Sequence, residues 1–135
     1  MKIEFGNASE LDTRGTGWFV GFGTWTKDGQ LDLRHVPEAA RSRGLCLKWM
    51  DHRAGDPRGV GKPPSEGRTL SILASDSGRF RLEFSDDPNF LEGRTVCHTL
   101  ARPGDFVAWG KGLHHSWFVD DDCTVVTLRW IPEPS

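Results

Sequence analysis

The chain has 135 residues, with 17 Lys and Arg against 19 Asp and Glu, so its net charge is −2. This length predicts a single domain, and the near-neutral charge disfavours a nucleic-acid binder that depends on counterion release. Because no run approaches 18 apolar residues and the first residues contain no continuous apolar segment, we expect no membrane span, no signal peptide and a cytoplasmic location.

Apolar and polar residues alternate along much of the chain, which predicts β-strands. In chain order the predicted strands are residues 17–26, 45–52, 69–74, 79–84, 95–100, 105–109, 114–119 and 124–131. Residues 36–43 are the one segment that could form a helical turn, with Pro37 near its start and Gly44 beyond its end. The 16 Gly, six Trp and eight Phe also favour strands and tight turns. We therefore expect one all-β domain, either a sandwich or a closed barrel.

Residues 54–67 are rich in Gly and Pro and are too long for a hairpin loop. The stretch 34–68 around them carries eight Lys and Arg against four Asp and Glu, a net charge of +4. One interpretation is an ordinary surface of mixed charge. The other is a positive rim that attracts an anionic small molecule.

The most informative segment is residues 102–117, RPGDFVAWGKGLHHSW. It resembles the second motif of the cupin family: Gly, five residues, Pro-x-Gly, two residues, His, three residues, Asn. Gly104, Gly112 and His115 fall on the Gly, the second Gly and the His of that motif. Gly110 replaces its Pro, and Val119 replaces its Asn.

The first cupin motif is Gly, five residues, His-x-His, three or four residues, Glu, six residues, Gly, and it is degraded in this chain. His52 can be one of its histidines, and Gly78 can be its last Gly, which puts Ser71 at the position of the Glu ligand. The resemblance covers residues 45–131 as the cupin core. It implies a double-stranded β-helix, a small jelly-roll β-barrel with its binding site inside, preceded in residues 1–44 by strands and the short helical turn.

A site inside such a barrel would be lined by Trp49, Trp109 and Trp117, which offer stacking surface. Arg53 and Lys111, together with Arg58 or Lys62, would bind a carboxylate or a phosphate.

The family's metal sites usually combine three histidines with a carboxylate. The available residues are His52, Glu66, His98 and His115, whose donor atoms suit Fe, Mn, Ni or Zn. A site without metal is equally compatible with the sequence, because a lone buried His is more often a hydrogen-bonded core residue than a ligand.

Two functions remain open at this point. The first is a small-molecule-binding cupin that takes an anionic or sugar-like ligand. The second is a divalent-metal-dependent enzyme of the isomerase, dioxygenase or decarboxylase type, with His52, Glu66 and His115 as ligands. The family also implies a homodimer, and the aromatic residues Trp18, Phe19, Phe22 and Trp25 are consistent with one.

Overall fold

The computed structural model describes residues 3–13, 15, 17–20 and 42–132. The first predicted strand, residues 17–26, is described only as far as residue 20, and residues 17–20 are not in a strand. The expected helical turn at residues 36–43 also lies outside the described residues, except for its last two residues, which belong to a strand. No helix in the described part of the chain is long and apolar enough to cross a membrane.

Seven of the eight predicted strands are confirmed, and one strand near the N-terminus was not predicted. The strands are β1 (Ile3–Asn7), β2 (Ser42–His52), β3 (Arg68–Leu73), β4 (Arg79–Ser85), β5 (Thr95–Leu100), β6 (Asp105–Trp109), β7 (His114–Asp121) and β8 (Cys123–Pro132). β1 escaped prediction because its alternation consists of Ile3 and Phe5 alone.

The strands form two antiparallel sheets, in the orders β1-β6-β3-β8-β2 and β5-β4-β7. Along the chain, β3 and β6 lie in the large sheet, β4, β5 and β7 lie in the small sheet, and β8 returns to the large sheet between β2 and β3. This strand order is that of a jelly roll, or double-stranded β-helix. The predicted fold class is therefore confirmed.

The Gly- and Pro-rich segment 54–67 lies along β7 and contains a short 3-10 turn, Pro57–Gly59. The backbone N–H of Gly55 donates to the carbonyl of Val119 at 2.8 Å, and that of Ser65 donates to Leu113 at 3.1 Å. In a jelly roll with two four-stranded sheets, the fourth strand of the small sheet would pair at this edge. The segment thus covers a strand edge, and it forms one wall of the space between the sheets.

The main core lies between the two sheets, where the inward faces of their strands meet, and a second buried cluster around Phe106 and Trp130 lies on the other face of the large sheet. Phe84 and Leu82 of β4, Val107 and Trp109 of β6 and Val125 of β8 are buried there. On β2 the inward residues are Lys48, Met50 and His52. Leu45, Leu47 and Trp49 therefore point outward, and their exposures are 56%, 68% and 65%. Because Lys48 and His52 face inward, the part of the core beside β2 is polar.

Candidate functional site

A cavity of about 130 Å³ lies between the sheets and opens into an outer groove of about 530 Å³. Its interior has apolar walls, formed by Met50, Phe80, Leu82, Trp109, Trp117 and Val125. Three hydroxyl groups, those of Thr69, Ser71 and Thr127, interrupt these walls. The cavity can thus hold both apolar and hydroxylated groups.

Three cationic side chains surround the mouth of the cavity. Lys48, Lys62 and Arg129 line both the cavity and the outer groove. Partial burial lowers the pKa of Lys48, and the charges of Arg129, Lys62 and Arg58 lower it further. None of the three mouth cations forms an ion pair with a carboxylate of the described residues. The mouth therefore carries a positive potential that an anion can neutralise.

His115 of β7 is buried at this mouth, and its ring lies 5.0 Å from that of Trp109. Its Nδ1 atom has no hydrogen-bond partner among the described residues. Burial, followed by the charges of Arg129, Lys62 and Lys48, lowers the pKa of His115 to about 4. The imidazole is therefore neutral at pH 7. A buried nitrogen without a partner costs about 1–3 kcal/mol.

His52 ends β2 at the opposite end of the cavity and packs against aromatic rings. Its ring centroid lies 4.7 Å from that of Trp117 and 5.3 Å from that of Phe80. Its Nδ1 atom is 3.0 Å from Oδ2 of Asp56. Because a carboxylate only accepts hydrogen bonds, Nδ1 is the donor, and in the neutral tautomer Nε2 carries the lone pair.

Asp56 is itself held in place by Arg58. The guanidinium donates from Nε to Oδ1 at 2.9 Å and from Nη2 to Oδ2 at 2.6 Å. These bonds, followed by the bond from His52, hold the pKa of Asp56 well below its usual range. The carboxylate is thus ionised and oriented toward His52.

The structure places only some of the predicted ligand-binding residues in the cavity. Trp109 and Trp117 line the cavity as predicted. The prediction for Trp49 is wrong, because Trp49 lies three positions before His52 and alternation places the two on opposite faces of β2. Arg53 and Lys111 are also misplaced by the prediction, since both are exposed and line other surface depressions. Sequence reasoning missed Lys48 and Arg129, although Lys48 shares the period-2 face of His52.

The four predicted metal ligands are not brought together, which corrects the proposed set. His98 lies on β5 with its ring 4.3 Å from that of Phe5, outside the cavity. Glu66 is exposed in the outer groove. His52 and His115 do line the cavity, but no group of three His, Cys, Asp or Glu in the described part of the chain could hold a metal ion.

The surroundings of the two cavity histidines also fit a divalent metal poorly. The three mouth cations would repel such an ion at His115, and Asp56 already occupies Nδ1 of His52. Ser71, at the position of the family's Glu ligand, faces the cavity and its hydroxyl lies 2.8 Å from that of Thr127.

The jelly roll and the cavity between its sheets together define a cupin-like fold. No protein-family model matches the chain, and none of the curated proteins matches it. Among solved structures the chain is similar to RmlC from Streptococcus suis, determined in complex with dTDP-D-xylose, with 16% identity and a TM-score of 0.48 over 67% of this chain and 45% of that one. It is also similar to Co(II) HppE in complex with Tris buffer, with 6% identity and a TM-score of 0.43 over 62% of this chain and 43% of that one. The matched region thus covers less than half of either protein.

Proposed function

We propose that this protein is a small-molecule-binding cupin that takes a small organic anion between its two sheets. The observation that carries the proposal is the convergence of Lys48, Lys62 and Arg129 at the mouth of the cavity. Three such charges repel one another, and no carboxylate of the described residues pairs with them. A bound anion relieves this repulsion, so the site favours a negatively charged ligand.

The cavity limits the size and the character of the ligand. Its volume of about 130 Å³ is close to that of a cavity that holds one benzene molecule, so a longer ligand such as a sugar acid would extend into the outer groove. Trp109 and Trp117 suit a carbon skeleton, while Thr69, Ser71 and Thr127 can bind hydroxyl or carbonyl groups. Small sugar acids, hydroxy or oxo acids and small phosphate esters meet these requirements.

The metal-dependent alternative has less support, because Glu66 lies in the outer groove and cations surround His115. Incubation with Fe, Mn, Ni or Zn salts, desalting and elemental analysis test it directly. We expect less than one metal ion per chain for each. One equivalent of metal that His115→Ala removes would establish the alternative.

Thermal unfolding with matched pairs of charged and neutral compounds tests anion binding. Gluconate and inorganic phosphate are expected to raise the Tm by several degrees at saturating concentration, whereas glucose is expected to have no effect, because only the anions fill the positive mouth. The double variant Lys48→Gln/Arg129→Gln should lose this response. The matched control Arg53→Gln/Lys111→Gln removes the same charge outside the cavity and should keep it.

Two results would overturn the proposal. One is the absence of a Tm response to every anion in a panel of sugar acids, oxo acids and phosphate esters. The other is an equal response in the two double variants, because the anion would then bind away from the cavity.

A further inference from the structure

We propose that the cavity is also catalytic, with His52 as the general base that removes a proton from the carbon next to the carbonyl group of a small 2-oxo acid. This inference rests on the proposed function, since the carboxylate of the 2-oxo acid is the anion at the mouth. It adds a reaction and a catalytic residue to the binding site.

The orientation of His52 is the first argument. Asp56 accepts a hydrogen bond from Nδ1–H of His52 at 3.0 Å, and Arg58 fixes that carboxylate through two hydrogen bonds. A base that is itself oriented by a third group is the arrangement that activates imidazole for proton transfer. Asp56 would also stabilise the imidazolium that forms when Nε2 takes up a proton.

The surroundings of His52 are the second argument. Trp117 and Phe80 pack against its ring, so the base lies in the apolar part of the cavity. Nδ1 is bound to Asp56, and Nε2 is therefore the nitrogen available to a ligand in the cavity. General bases work best where bulk water does not compete for them.

The opposite end of the cavity supplies the charge that an enolate needs. Lys48 and Arg129 stabilise negative charge on the carbonyl oxygen as it develops. His115, held neutral by burial and by the same cations, can donate one N–H hydrogen bond to that oxygen without competing for the proton. Because their surroundings differ, His52 would act as the base and His115 as the hydrogen-bond donor.

The step requires no oxidant or further reactant. Nε2 of His52 takes the proton from the carbon, the C–H electron pair forms the C=C bond, and the carbonyl π pair moves to the oxygen to give the enolate. Return of the proton from the imidazolium restores the ketone and the free base. Exchange of that proton with solvent, or its return to the other face of the carbon, gives a labelled or an epimerised 2-oxo acid.

The test uses 2-oxobutyrate in D₂O, with the loss of the C3 proton signal followed by ¹H NMR and binding measured separately by titration. The wild-type protein should accelerate this exchange above the rate in buffer. His52→Gln should lower the enzymatic rate by about 10²-fold or more while changing the Kd only a few-fold. Asp56→Asn retains the imidazole but loses the negative charge, and it should also slow exchange. The matched control, His98→Gln, lies outside the cavity and should exchange like the wild type.

Each other outcome contradicts a particular part of the inference. Bound 2-oxobutyrate that does not exchange refutes proton transfer and leaves anion binding intact. Binding of gluconate but not of 2-oxobutyrate refutes the substrate class. Equal exchange in His52→Gln and the wild type assigns the base to another residue. If His52→Gln does not fold, as judged by thermal unfolding, Asp56→Asn decides the role of His52.

Discussion

At the scale of single residues, the two cavity histidines lie in opposite electrostatic surroundings. His52 faces the Asp56 carboxylate at 3.0 Å, whereas three cations and an apolar wall surround His115. Both side chains are buried to a similar extent. Burial is the larger cause of the lowered pKa of His115, and the three cations at the mouth lower it further.

The lowered pKa of His115 predicts a loss of stability in mild acid. The unfolded chain binds a proton at this residue near pH 6.5, whereas the folded protein binds it only near pH 4. The free energy of unfolding should therefore fall as the pH decreases from 6.5 to 4, by about 3 kcal/mol from this residue. Urea denaturation at several pH values, compared between the wild type and His115→Gln, measures this contribution. A His115 imidazole that titrates near pH 6.5 by NMR would contradict the prediction.

A bound anion should raise the pKa of His115, because its negative charge offsets the three cations. NMR titration of the histidine signals with and without gluconate checks this prediction. The His98 signal serves as an internal control, since that residue lies outside the cavity and should not respond. An unchanged His115 pKa in the presence of bound gluconate would place the anion elsewhere.

At the scale of elements, alternation in the sequence predicted where the strands lie but not which of their faces is inside. The segment 45–52 shows why. Leu45, Leu47 and Trp49 look like a core face by composition, yet the large sheet turns them outward and places Lys48 and Met50 inside. The predicted role of His52 as a metal ligand could have revealed this orientation, because a side chain that faces the site at position 52 requires the polar face of β2 to be internal. The usual rule for burial is thus reversed on this strand, because its polar face lines the cavity.

The segment 54–67 is predicted to depend on Gly59, where the chain passes closest to β7. A Cβ atom at this position would lie 2.0 Å from the carbonyl oxygen of Trp117 and 2.4 Å from its ring. Gly59→Ala should therefore displace Trp117, lower the free energy of unfolding by about 1–3 kcal/mol and weaken anion binding. Gly110→Ala is the matched control, since a Cβ there meets no atom within 4 Å. Equal urea midpoints for the two variants would show that the segment can move away from β7.

At the scale of the whole molecule, the net charge of −2 conceals a concentration of positive charge in one place. The positive stretch 34–68 was visible in the sequence and contains Lys48, Arg58 and Lys62. Arg129 joins them only because β8 pairs with β2, with Cys46 opposite Arg129 and Lys48 opposite Thr127. That part of the site could not be predicted, because it depends on a pairing between strands far apart in sequence.

Because the mouth acts through charge, anion binding should depend on ionic strength. The screening length falls to about 10 Å at 0.1 M salt, so the Kd for gluconate should rise several-fold between about 20 and 200 mM NaCl. Calorimetric titration across this range measures the slope for the wild type and for both double variants. Arg53→Gln/Lys111→Gln should retain the wild-type slope, whereas any residual binding by Lys48→Gln/Arg129→Gln should show a much smaller one. A wild-type Kd that salt does not change would mean that hydrogen bonds from Thr69, Ser71 and Thr127, rather than the field of the cations, hold the ligand.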